Sequence, residues 1–168
     1  KPIALIRKYD VIIFISVNAV NYAEEYFEEL FSSRSKVFAV GPVTANQLLQ
    51  KNIKVACYPK TNASSEELLK MKDSQNLLNA KVLIVRGKGG SETLKSKLSI
   101  SNQVDYFEVY ERVPCEATTQ HVESIKLFLN NPKGILMATS MESLNSILHL
   151  VQSISFDSVS YTHLTLPT

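Results

Sequence analysis

Few of the side chains that bind metals or form crosslinks are present, and none stands at a telling spacing. Cys57 and Cys115 are far apart, with no C-x-x-C. They read as reduced small hydrophobes of a cytosolic protein, not as a disulfide or a metal pair. His121, His149 and His163 have no metal-ligand spacing, so no metal is expected. Charge of one sign is also lacking: 18 Lys and Arg face 16 Asp and Glu, leaving a net charge of +2. The cations are scattered, which excludes the basic stripe of a nucleic-acid binder. No apolar run approaches the ~20 residues needed to cross a bilayer, so no membrane partner is expected. No G-x-S-x-G elbow occurs, and neither Ser16 nor Ser140 has an evident histidine partner. What remains is a soluble globular composition, with 45% hydrophobic and 20% charged residues.

The ends are unusual. Lys1 is not an initiator Met, and Pro2 to Ile6 does not read as a signal peptide. The chain is therefore expected to start inside a longer protein. Ser158 to Thr168 follows no helical or turn logic and resembles a translated sequencing-adapter peptide. It is read as non-native.

Between the ends a unit repeats: a short apolar run, a polar or glycine-containing corner, then a helical pattern. Val11 to Ile15 reads as a strand buried on both faces. A helix is expected from about Ala19 to Phe31, with Val20, Ala23, Phe27 and Leu30 on its apolar side. Val37 to Val40 leads through Gly41-Pro42 to a helix from about Val43 to Lys51. Lys54 to Tyr58 reads as a strand ended by Pro59, and Ser64 with Glu67 has capping-box spacing before the next helix. Lys81 to Arg86 is a strand, turning through Gly87-Lys88-Gly89-Gly90 into a helix from about Ser91 to Leu98. A longer strand follows from Val104 to Arg112, then a break at Pro114. A helix from about Thr118 to Leu129, a strand from Gly134 to Ala138 and a helix from about Glu142 to Val151 complete the pattern.

Strands alternating with helices imply α/β architecture with a parallel sheet. Right-handed crossovers place every strand-to-helix corner on one edge, where such sheets bind ligands. The corners are Ser16-Val17-Asn18, Gly41-Pro42-Val43-Thr44, Arg86 to Ser91, and Thr139-Ser140. Helix-start N–H groups favour anions, so a ligand with many carboxylates or phosphates suits the set. Taken singly, each corner is better explained as simple helix capping; only the set on one edge weighs evenly between capping and an anion site. The glycine corner is not GxxxxGK[ST], and Glu92 breaks GxGxxG, although a mononucleotide-binding loop stays open as an alternative. Arg86 and Lys88 are candidates to pair with substrate carboxylates. Tyr110, near a strand end, reads either as a half-buried aromatic or as a phenol placed to donate a proton or hydrogen bond.

In this order the motifs resemble uroporphyrinogen-III synthases. Asp10 to Val20 resembles that family's strand and S-x-x-A-V corner, and Val37 to Ala45 its A-V-G-x-x-T-A element. Ser65 to Leu69 matches S-E-x-L, Lys81 to Gly90 matches L-I-L-R-G-x-G-G, and Val109 to Arg112 matches V-Y-x-R. Met137 to Ser140 resembles a second T-S corner. The resemblance covers roughly residues 1–152. It implies two parallel-sheet, flavodoxin-like α/β domains joined by a two-stranded ladder, with the active site in the cleft between them. Residues 1–112 would be most of the second domain, 113–116 a linker region, and 117–152 a partial return into the first domain, ahead of a tail at 153–168.

The implied activity is a cofactor-free lyase reaction, the cyclisation of hydroxymethylbilane to uroporphyrinogen III with inversion of the last pyrrole. Tyr110 is the implied catalytic residue. Ser16, Thr44, Arg86, Gly87, Lys88, Gly89 and Ser140 are the implied substrate contacts. The resemblance further implies a cytoplasmic monomer that meets hydroxymethylbilane synthase transiently. A non-catalytic α/β module binding a small ligand or nucleotide is the alternative.

Overall fold

The computed structural model describes residues 8–113, 118–131, 133–138 and 141–155. The chain divides into two compact units, Lys1–Arg112 and Val113–Thr168.

The first unit is built on four parallel strands in the order β2-β1-β3-β4. These are β1 (Val11–Phe14), β2 (Lys36–Ala39), β3 (Lys81–Gly87) and β4 (Gln103–Tyr110). The central strands β1 and β3 are apolar and almost wholly buried, as strands covered on both faces must be. Alternation divides their side chains between two cores. Ile12, Phe14, Leu83 and Val85 pack on one face with Ala19, Val20, Ala45 and Leu48 from α1 (Val17–Ala23) and α3 (Pro42–Gln50). Val11, Ile13, Val82 and Ile84 pack on the other with Leu68, Leu94 and Leu98 from α4 (Ser65–Lys70) and α6 (Thr93–Leu98). Each fully buried Val, Leu, Ile or Phe among them contributes about 1.5–3 kcal/mol. Ser64 caps α4 by accepting from the Glu67 N–H at 3.1 Å.

Four expected elements differ. The helix expected over 19–31 is α1, a 3-10 turn at Glu24–Tyr26, and α2 (Phe27–Leu30). Glu24 and Glu28, and Glu25 and Glu29, are spaced i,i+4 in the sequence, and like charges at that spacing weaken α winding. The helix after Ser64 breaks at extended Met71 before α5 (Lys72–Gln75). The strand expected over 54–58 is a single bridge, Cys57 to Phe38. It lies outside β2 at the sheet margin, where Pro59 cannot donate to a ladder. Cys57 is a buried free thiol, and burial pushes its pKa up.

The second unit contains α7 (Thr119–Leu129) and α8 (Met141–Ser155). Thr118 and His121 form a reciprocal capping box at the start of α7. The strand expected at 134–138 does not form; Ile135 and Met137 are 93% and 82% exposed. A parallel strand depends on a neighbouring ladder for its hydrogen bonds. Among the described residues none pairs with it. The Pro114 break, Cys115, the Thr139-Ser140 corner, His163 and the tail from Ser158 lie outside the described residues.

Candidate active site at the carboxyl edge of the sheet

Because all four strands are parallel, the corners after β1, β2 and β3 and the end of β4 share one edge. The Val40 N–H donates to the Phe14 carbonyl at 3.1 Å and the Ile15 N–H to the Val85 carbonyl at 3.3 Å. These bonds set the Ser16 corner between the Gly41 and Gly87 corners.

The register of β3 and β4 slips there. Arg86 lies opposite Glu108, whereas Gly87 lies opposite Tyr110, so β4 has one extra residue. Strict alternation would place Tyr110 on the face opposite Phe107 and Val109. An extra residue re-aims the side chain that follows it. Phe107, Val109 and Tyr110 accordingly all pack on the α1 face.

There the Tyr110 hydroxyl lies 3.4 Å from Ser16 Oγ. Ser16 also caps α1, its hydroxyl accepting from the Ala19 N–H at 3.1 Å. Gly87 sits beneath the phenol: a Cβ built on it would lie 2.6 Å from Tyr110 Cζ. Only a glycine lets the ring come this close to β3. The Lys88 N–H donates to the Tyr110 carbonyl at 2.8 Å, fastening the two strand ends. The Tyr22 ring stacks on Tyr110, with centroids 5.2 Å apart and planes 30° apart.

The remaining expected contacts are placed unevenly. Thr44 is buried in the first turn of α3, whose cap Gly41 supplies no side-chain hydrogen bond to the helix N–H groups. Gly41 is itself in close contact, since a Cβ there would lie 2.4 Å from Ala63 Cβ. Lys88 is exposed, and its ammonium pairs with Glu111 at 2.9 Å, which raises its pKa. Gly89 is exposed with φ +77°, a left-handed turn that favours glycine. Ser140 lies outside the described residues.

Arg86 points to the other face of the sheet. It is 2% exposed, donates to the Gly87 and Ser91 carbonyls at 3.1 and 3.3 Å, and pairs with Glu92 at 3.1 Å. Its guanidinium carbon lies 4.5 Å from the Tyr106 ring centre. Its donors are thus turned inward onto the loop and not toward the Ser16–Tyr110 pair. Tyr106 in turn donates to Glu92 at 2.7 Å, which lowers the Glu92 pKa. Burial, then this bond, pushes the Tyr106 phenol up to about 12.

Two cavities of about 410 Å³ lie away from this edge. One is a trough beside α4, α5 and α6 that includes Lys70, Ser74 and Lys97; the other is at Asn79 and Ser99–Gln103. Neither includes Ser16, Gly87 or Tyr110. Ser16 and Tyr110 are both half-buried.

The model of one family, "Uroporphyrinogen-III synthase HemD", matches residues 1–165. The chain belongs to the uroporphyrinogen-III synthase family. The synthase of Proteus mirabilis is 32% identical over 108 residues, covering 62% of this chain and 54% of that protein. The Escherichia coli K12 synthase is 26% identical over 153 residues, covering 89% and 61%. The crystal structure of uroporphyrinogen-III synthetase from Helicobacter pylori 26695 superposes with a TM-score of 0.59 at 22% identity, covering 84% of this chain and 62% of that one. That likeness establishes the α/β fold of a family member. The chain spans less than two thirds of the length of these relatives.

Two features near this edge were not visible in the sequence. Tyr22 lies one turn past the Ser16 corner and is 56% exposed. Its only sequence signal is an aromatic residue on the wet side of an otherwise amphipathic pattern. The Arg86–Glu92–Tyr106 group joins residues 14 and 6 positions apart, and no periodicity links them.

Proposed function

We propose that the protein closes hydroxymethylbilane to uroporphyrinogen III in tetrapyrrole biosynthesis, with loss of water and inversion of the last pyrrole. Family membership supports this reading. The observation that carries it to the site is the Tyr110–Ser16 hydroxyl pair, 3.4 Å apart at the carboxyl edge above Gly87. The Tyr110 phenol donates a hydrogen bond or proton to the terminal hydroxyl of the bilane as it departs. The electrophilic azafulvene left behind is attacked by the last pyrrole at its substituted carbon, giving a spiro intermediate. Fragmentation and re-closure then invert that ring.

The substrate supplies the reacting groups, so holding it folded accounts for most of the rate gain. Its eight carboxylates meet helix-start N–H groups at α1 and α3 and the cation of Lys88. Gly87 and Gly89 admit the chain of pyrroles close to the backbone. Ser140 and Thr44 complete the set of contacts.

We further propose that residues 1–112 form most of the second family domain, with 113–116 as linker and 117–152 as a return into the first. No described helix is long and apolar enough to cross a membrane. The protein acts as a cytoplasmic monomer that receives its unstable substrate from hydroxymethylbilane synthase by transient contact.

Incubation with hydroxymethylbilane, followed by separation of the isomers, tests the reading. The expected product is the type III isomer; type I alone, at the spontaneous rate, overturns it. Tyr110→Phe is expected to lower kcat by about 100-fold, at the lower end for a lost general acid. An unchanged kcat removes Tyr110 from the chemistry.

A further inference from the structure

We infer that Tyr22 is a positioning residue for this reaction, acting through the ring of Tyr110; the inference rests on the proposed synthase function. The register slip turns Tyr110 onto the α1 face, but a slip alone does not fix where its hydroxyl points. The ring needs contacts on more than one side. Gly87 meets its hydroxyl end, where a Cβ would come within 2.6 Å of Cε2 and Cζ and 3.0 Å of the hydroxyl oxygen. Ser16 lies 3.4 Å from that oxygen. The face of the ring is covered by Tyr22, at 5.2 Å and 30°.

Tyr22 has no core duty that would otherwise explain it. It is 56% exposed, while its helix neighbours Ala19, Val20 and Ala23 are fully buried. An offset stack is the favoured geometry of two aromatic rings, and it needs only the ring, not the hydroxyl. Tyr22 and Ser16 stand on α1 and its cap, and Tyr110 stands at the end of β4. The stack therefore ties the helix that presents Ser16 to the strand that presents the phenol. It holds the two hydroxyls together before substrate arrives.

The test compares Tyr22→Phe, Tyr22→Ala and Tyr22→Leu in the protein assayed with hydroxymethylbilane. Tyr22→Phe should keep kcat within twofold. Tyr22→Ala and Tyr22→Leu should lower kcat by roughly five- to tenfold, the worth of one aromatic pair, with KM within about twofold. In a Tyr110→Phe background the same changes should cost less than about twofold, because the hydroxyl they position is gone. Tyr22→Leu keeps apolar bulk, so it reports should Tyr22→Ala not fold. An unchanged kcat in both variants, or an equal loss in the Tyr110→Phe background, overturns the inference. A second readout needs no turnover. The nuclear Overhauser effect between the Tyr110 ring protons and the Ser16 β-protons should persist in Tyr22→Phe and vanish in Tyr22→Leu. If the unaltered protein makes no type III isomer, the functional reading falls. This signal then still decides the positioning claim: its persistence in Tyr22→Leu overturns it.

Discussion

At the end of β3 two adjacent residues face opposite ways into unlike surroundings. On the α6 face, Arg86 is bound on every side by two carbonyls, the Glu92 carboxylate and the Tyr106 ring. On the α1 face, Gly87 offers no side chain, and two hydroxyls from distant elements lie above it. The first region is a closed electrostatic network that fixes a loop. The second is half-buried, with hydroxyl capacity left over for a ligand. The difference shows that a charged residue in a motif need not touch the substrate. Here the cation shapes the loop, and the missing side chain makes the room.

The sharpest way to break this contrast is to fill the space at Gly87. Gly87→Val puts atoms where the Tyr110 ring now lies. The ring must leave Ser16, and a displacement of about 1 Å is enough to lower kcat roughly 100-fold. Stability should fall by about 1–3 kcal/mol from overpacking, read by chemical denaturation. Normal turnover would show that the closeness of ring and strand has no catalytic meaning.

The next effect belongs to the other face. Arg86→Met removes the cation but keeps apolar length against Tyr106. It strips charge-assisted bonds from the Gly87 and Ser91 carbonyls, and a loss of about 2 kcal/mol is expected. The Glu92 pair adds little, because that carboxylate is 65% exposed. KM should change far less than stability does. A large rise in KM with stability unchanged would return Arg86 to the substrate site and erase the contrast.

Titration probes the same network more gently. The Tyr106 phenol is raised from 10.0 to about 12, first by burial and then by its bond to Glu92. Below the unfolded value both states hold the proton, and the full stabilisation is present. Between that value and about 12 the unfolded chain releases its proton first, so stability falls as pH rises. Measured against Tyr106→Phe, the unaltered protein should lose about 1 kcal/mol more across that window, after allowance for partial solvent screening. Parallel curves would mean that Tyr106 is not held as described.

The sheet was legible because burial on both faces leaves a plain mark: Val11 to Phe14 and Val82 to Val85 are continuous apolar runs. Corner positions followed from parallel connectivity, and Tyr110 from a motif resemblance. The direction in which each side chain points was not legible. Simple alternation puts Tyr110 on the face of Tyr106 and Arg86, and the register slip then turns it to the other; a slip is a property of two strands together. Lys54 to Tyr58 misled for a related reason. Its composition suits a strand, but the number of ladder bonds depends on its neighbour and on Pro59.

Lys88 gives the smallest effect and the finest discrimination. It belongs to the glycine corner by sequence, yet its side chain is exposed and rests on Glu111, beyond the end of β4. An exposed pair of this kind is screened by solvent and contributes little. Lys88→Ala should therefore leave the denaturation midpoint of the unaltered protein unmoved. The backbone bond from Lys88 to the Tyr110 carbonyl survives the change, so kcat should hold as well. Only KM for the polyanionic bilane should rise, by about two- to threefold, and raised salt should shrink that difference. A large loss of kcat would mean that the lysine side chain itself, and not its main chain, supports Tyr110. Tyr110 would then depend on a charge that its contacts with Ser16, Gly87 and Tyr22 do not supply.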